Sequence, residues 1–154
     1  MSIAARLREL NIDLPPATKP VANYTTALVD SDHLYLSGHV ARENGAIAAG
    51  RVGDDVNIEA AVAMARAVAI DMLSTIDNAV GLDAVRKVVR VGGYIRSAPD
   101  FRDQPTVLNG ASDLLVEVFG AEIGVHSRAA VGVSELPGGA ILEIDGIVRI
   151  ETTL

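Results

Sequence analysis

Two periods of hydrophobic recurrence run along this chain, and the switches between them mark its elements. From Asn57 to about Val80, the residues Ile58, Val62, Ala65, Val68, Met72 and Ile76 recur at helical spacing, with Asn57 suited to an N-cap and Gly81 to a stop. A second helical pattern covers roughly Thr106 to Phe119. A short amphipathic pattern over residues 2–10 sets Ile3, Leu7 and Leu10 on one side, and Pro15-Pro16 ends it. Strand-like segments lie between. NYTTALVD (23–30) and HLYLSGHVA (33–41) are rich in β-branched and aromatic residues and flank Asp30-Ser31-Asp32, which predicts a hairpin. ENGAIAAG (43–50) reads as a loop, and residues 85–97 form a strand carrying Val89, Val91 and Ile95. Two last strands, 127–135 and 140–151, flank Leu136-Pro137-Gly138-Gly139, where Pro then Gly suits the centre of a type II turn. The order β-β-α-β-α-β-β predicts an α+β layer arrangement with both long helices on one face of a sheet. The length of 154 residues fits one domain, 1–154, of which residues 1–16 are an N-terminal helix and Pro-Pro loop extension.

Side chains alternate faces along a strand, so the last two segments can be sorted. Ala129, Val131 and Val133 share one face; Arg128, Ala130, Gly132 and Ser134 share the other. In the final strand Leu142, Ile144, Val148 and Ile150 form an apolar set, opposite Ile141, Glu143, Asp145, Ile147 and Arg149. The purely apolar sets are expected to face the helices. If residues 136–139 join the two strands as a hairpin, Gly132 opposes Glu143 and Arg128 opposes Ile147. Arg128 and Glu143 then share the non-helix face, roughly 13 Å apart, with Ala130 and Gly132 leaving a shallow hollow between the charges. Two readings of that face stay open. It is solvent-exposed and its charges contribute little, or it packs against a partner because Ile141 and Ile147 lie on it.

Composition narrows the function classes. The net charge of −7 and the five aromatics, Tyr24, Tyr35, Tyr94, Phe101 and Phe119, argue against nucleic acid and against an anionic membrane surface. Cysteine is absent, which excludes disulfides, thiol catalysis and cysteine metal sites. No secretory signal pattern or long apolar stretch occurs, so a cytoplasmic location is expected. His33, His39 and His126 lack metal-ligand spacing, and no metal or organic cofactor is expected. His33 reads as flanking a turn and His126 as a strand-edge residue. His39, beside Ser37-Gly38, has a pocket-lining and a structural reading side by side. Gly92-Gly93 suggests a bulge, Asp54-Asp55 and Asp100/Asp103 suggest helix entries, and Asp145 shares a face with Glu143.

The segment SRAAVGVSELPGGAILEIDGI (127–147) resembles the C-terminal signature of the RidA family, also called YjgF or L-PSP: an arginine heading a strand, then Leu-Pro, then a glutamate six residues after the proline. YLSGHVA (35–41), NYTTALVDSDHLYLSG (23–38) and DFRDQPTVLNGASDLLVEVFG (100–120) are similar to other family segments, so that the resemblance covers roughly residues 18–152. It implies a chorismate mutase-like fold with a mixed sheet, a homotrimer around a central barrel, and ligand pockets between subunits. It also implies hydrolytic deamination of enamine/imine intermediates of the 2-aminoacrylate type to 2-oxo acids and ammonia. Carried across, Arg128 would bind the substrate carboxylate and Glu143 would position water, while Ser37, Gly38 and Tyr24 would line the pocket. Three departures bear on this. His39 stands where the family has Gln, Ala130 stands where it often has Cys, and either Asn109 or Ser112 falls at its pocket asparagine. A non-catalytic binding protein for small carboxylates is therefore the alternative expectation, with endoribonuclease or translation-inhibitor activity disfavoured by charge.

Overall fold

The computed structural model describes residues 2–152. A first helix, α1 (Ile3–Glu9), starts at Ser2, whose hydroxyl accepts the Ala5 N–H. It docks on the body of the protein through buried Leu7 and through an Arg6 Nε bond to the Glu117 carbonyl at 2.8 Å. Strands β1 (Ala27–Asp30) and β2 (His33–Val40) form the expected hairpin. Its strand structure begins later than the pattern suggested, and Tyr24 lies outside it. The expected loop at 43–50 contains a small ladder of β3 (Arg42–Glu43) with β4 (Ala46–Ile47).

Helix α2 (Ile58–Val80) is capped as its sequence predicts. The Asn57 side chain accepts the Ala60 N–H at 2.8 Å, and Gly81 ends the helix at φ 80°. Strand β5 (Val85–Arg96) follows, then α3 (Gln104–Gly124). The regular part of α3 stops at Gly120, whose φ of 78° is non-helical, so the break falls directly after the expected end at Phe119. Strands β6 (Ser127–Val133) and β7 (Leu142–Ile150) complete the chain.

The five long strands run in the order β1-β2-β7-β5-β6. This overturns the expected hairpin of the last two strands. β6 pairs in parallel with β5, and β7 inserts antiparallel between β5 and β2. The turn itself forms, with the Gly139 N–H bonded to the Leu136 carbonyl at 2.9 Å and Gly138 at φ 65°. Beyond it the chain leaves β6: the Ile141 N–H bonds the Ala48 carbonyl, and the Ile141 carbonyl accepts from Arg96. The physical reason is burial. Leu142, Ile144, Val148 and Ile150 are all buried and need a central position under the helices, whereas β6 is largely exposed and tolerates an edge.

Both long helices cover one face of this mixed sheet, as expected for an α+β layer arrangement. Gly93 faces Leu108 of α3, and Gly146 faces Met72 of α2. The apolar side chains of the sheet and of all three helices form one contiguous cluster. Gly92-Gly93 is not a bulge. Both residues sit in regular register with β6 and β7, and the irregularities of β5 lie between Val85 and Arg90. These glycines instead permit close approach: a Cβ at Gly93 would lie 2.6 Å from Leu108, and one at Gly92 would overlap the Asp145 carboxylate.

Candidate functional site

The Ser37-Gly38 step breaks the ladder between β2 and β7, whose register shifts between Leu36 and His39. Three contacts hold this irregularity. The Ser37 N–H and hydroxyl donate to the carbonyls of Thr26 and Thr25 at 3.0 and 2.6 Å. His39 turns inward, buried at 5% exposure, beneath the step. Its Nδ1 lies 2.7 Å from the Ser37 carbonyl, which can only accept, so Nδ1 carries the proton and Nε2 accepts the Thr75 hydroxyl at 2.8 Å. Burial lowers the His39 pKa and keeps the ring neutral. His39 therefore locks the site from behind while also touching the cavity, which joins the two readings of this residue.

A cavity of about 260 Å³ opens in front of the step, lined among others by Tyr24, Gly38, His39, Lys19, Arg42 and Glu143. Gly38 is required here, because a Cβ would overlap the Glu143 carboxylate. Burial raises the Glu143 pKa, and the Asp145 charge on the same sheet face adds to the shift. Asp145 in turn accepts the Tyr94 hydroxyl at 3.1 Å. The sequence-derived residues Tyr24, Ser37, Gly38, His39 and Glu143 thus come together.

Arg128 does not join them. It pairs with Val91 on β5, a buried position of the helix face, and its guanidinium donates to Ser112 Oγ at 3.1 Å and to the Pro105 carbonyl at 3.3 Å. Ala130, on the same face, packs against the core, and a Cβ at Gly132 would meet Ser97 and Gln104. Val131 lies opposite and is 44% exposed. The expected facing of β6 is therefore reversed, and Arg128 and Glu143 lie on opposite sheet faces. The hollow between them does not exist within one chain. The facing was expected from the apolarity of Ala129, Val131 and Val133, which decides little on an exposed edge strand; the register with β5 puts Arg128, Ala130 and Gly132 on the helix side instead.

Arg128, Ala130 and Ser112 form a second group along the seam of α3 and β6. Asn109 is exposed on α3 between Pro105 and Ser112, and Ser112, not Asn109, bonds Arg128. Sequence reasoning missed Lys19, Arg42 and Thr75 at the first group and the link of His126 to Ser112 at the second. Thr75 carries a legible signal, as a polar residue within the apolar stripe of α2; Lys19 and Arg42 carry none. Among the described residues no group of three or more His, Asp or Glu side chains could hold a metal ion. No helix there is long and apolar enough to cross a membrane.

Comparisons with known proteins agree with this architecture. A profile described as endoribonuclease L-PSP matches residues 15–150. Protein TCP17 of Trypanosoma cruzi is 39% identical over 150 residues, covering 96% of this chain and 94% of that protein. A 2-iminobutanoate/2-iminopropanoate deaminase of Dermatophagoides farinae is 29% identical over 142 residues, covering 91% of this chain and 95% of its own length. The crystal structure of an Agrobacterium tumefaciens protein of unknown function superposes with a TM-score of 0.88 at 39% identity, covering 97% of this chain and 92% of that one. With the profile spanning nearly the whole chain and the Arg128, Pro137 and Glu143 spacing intact, this chain belongs to the L-PSP family, also called RidA or YjgF.

Proposed function

We propose that this chain hydrolyses enamine/imine intermediates of the 2-aminoacrylate type to 2-oxo acids and ammonia, in pockets shared between copies of a homotrimer. The observation that carries this reading is the division of the site. Glu143, Gly38 and Tyr24 line an open cavity, while Arg128, Ser112 and Ala130 lie at an edge on the opposite sheet face. One copy supplies the carboxylate half and the next supplies the cationic half. The name of the 29% identical relative supports the reaction type.

In this mechanism Arg128 grips the substrate carboxylate, for which its planar fork is suited. Glu143, with a raised pKa, is poised as a base closer to neutral pH than an ordinary carboxylate. A water held by Glu143 adds its oxygen to the carbon of the protonated imine and passes a proton to Glu143. Glu143 returns that proton to the nitrogen of the resulting carbinolamine. The C–N bond breaks as the hydroxyl oxygen forms the carbonyl and gives its proton back to Glu143, so that ammonia leaves and the 2-oxo acid remains. The reaction calls for neither metal nor organic cofactor. RNA as a substrate, which the family description suggests, is disfavoured by the net charge of −7.

The test uses 2-aminoacrylate generated in situ by a dehydratase, with release of 2-oxo acid as the readout. The full-length protein is expected to accelerate release, and Arg128→Ala and Glu143→Ala to lose about a hundredfold or more of that acceleration. Binding of 2-oxobutyrate without any acceleration would instead establish the non-catalytic carboxylate-binding alternative.

A further inference from the structure

The seam between α3 and β6 contains a directed chain of hydrogen bonds that ends on Arg128. His126 Nδ1 lies 2.6 Å from the Gly124 carbonyl, and a carbonyl only accepts, so Nδ1 carries a proton. The Nε2 atom of the neutral ring is then an acceptor. It lies 3.0 Å from Ser112 Oγ, which must donate its hydroxyl proton to it. The lone pairs left on Ser112 Oγ face Arg128 Nη1, 3.1 Å away. The polarity is unambiguous: Arg128 donates to Ser112, Ser112 to His126, and His126 to Gly124. With Pro105 accepting from Nη2, α3 holds the guanidinium through two acceptors.

Neutral His126 therefore forces Ser112 to turn a lone pair, not a proton, toward the cation. An imidazolium would reverse this. Nε2 would become a donor, Ser112 Oγ would accept from it, and the hydroxyl proton would be released toward whatever Arg128 holds. Without an anion that state is disfavoured. The ring is half-buried, and the charges acting on it, Arg128 on β6 and Lys87 on β5, are both positive. Helix α3 contributes only the uncharged Ser112 hydroxyl and Gly124 carbonyl to its hydrogen bonds. A carboxylate on Arg128 would supply the missing negative charge.

We propose that His126 and Ser112 are positioning residues that couple carboxylate binding at Arg128 to uptake of one proton, through reversal of the Ser112 hydroxyl. The proposal rests on the reading of Arg128 as the carboxylate site and adds to it a proton-dependent affinity. Ligand binding favours the imidazolium, and by reciprocity the imidazolium favours the ligand. An opposite charge within about 4–6 Å moves a pKa by about one unit or more, and one unit corresponds to about a tenfold change in affinity.

The experiment is calorimetric titration of the whole protein with 2-oxobutyrate between pH 8 and pH 5, in buffers of differing ionisation enthalpy. The 2-oxobutyrate carboxylate stays ionised throughout. Affinity is expected to rise about tenfold toward pH 5, with net proton uptake on binding. His126→Gln is expected to lose the pH dependence and the proton uptake. Ser112→Ala is expected to lose most of the pH dependence, and Arg128→Ala to bind at no pH. Binding that depends on Arg128 but shows neither proton uptake nor pH dependence overturns the coupling and leaves the Arg128 reading standing. A pH dependence that persists in His126→Gln assigns the proton to another group and also overturns it. Absence of binding by the unsubstituted protein overturns both. Should His126→Gln fail to fold, Ser112→Ala decides: proton uptake that persists undiminished in it overturns the coupling.

Discussion

Gly38 and Glu143 illustrate how much of the site depends on single atoms. Gly38 has no Cβ, and the Glu143 carboxylate fills the space one would occupy. Gly38→Ala is expected to push the carboxylate out of place and lower deaminase turnover by at least about tenfold, a fraction of what an acid–base group contributes. Circular dichroism should show an unchanged fold, because the displaced carboxylate belongs to a half-exposed side chain. The identity of both residues was legible in the sequence through their spacing in a family pattern. Their contact was not, since it depends on a register shift in β2 that no local pattern announces. His39 was half legible. Its place beside Ser37-Gly38 was evident, but its burial against Thr75 required α2 to be laid across the sheet.

Among the elements, α2 and α3 were read closely from periodicity and caps, because each helix satisfies most of its hydrogen bonds locally. Their crossing adds a point at which the backbones nearly touch: a Cβ at Gly110 would overlap the Val62 carbonyl. A backbone atom cannot yield as a side-chain tip can. Gly110→Ala is therefore expected to destabilise the protein by about 1–3 kcal/mol, through separation of the two helices. Thermal denaturation should show the loss as a melting temperature lowered by several degrees. The pairing of β6 and β7 is where element-level reasoning failed. A Pro-Gly-Gly turn between two strands suggested a hairpin, yet β5, α3 and β6 form a strand–helix–strand unit, which favours parallel neighbours. That signal was present in the element order. The turn overshadowed it because turn chemistry is local and strand order is not.

For the molecule as a whole, the sheet face away from the helices is unfinished. Tyr35 and Val131 remain 43% and 44% exposed on it, and Leu28, paired with Tyr35, is 57% exposed. Large apolar side chains grouped on an open sheet face are what a subunit interface buries. The proposed trimer predicts a mass in solution of about three times the 16.1 kDa of one chain, measured by light scattering. Val131→Asp places a charge on that face and is expected to shift the protein toward monomer and to abolish turnover with it, because each proposed pocket draws on two copies. A fully active monomer would overturn the shared-site reading.

Periodicity, caps and motif spacing are properties of neighbouring residues, so the helices, the first hairpin, the α+β class and the family spacing of Arg128 and Glu143 could be read along the chain. Packing in three dimensions put β7 in the middle of the sheet and turned Arg128 toward α3. It also decided that Arg128 and Glu143 lie on opposite faces of one chain. Strand order is settled by which apolar faces must be buried together across the whole chain, and a single reversal of a strand's partner reassigns every side chain on it.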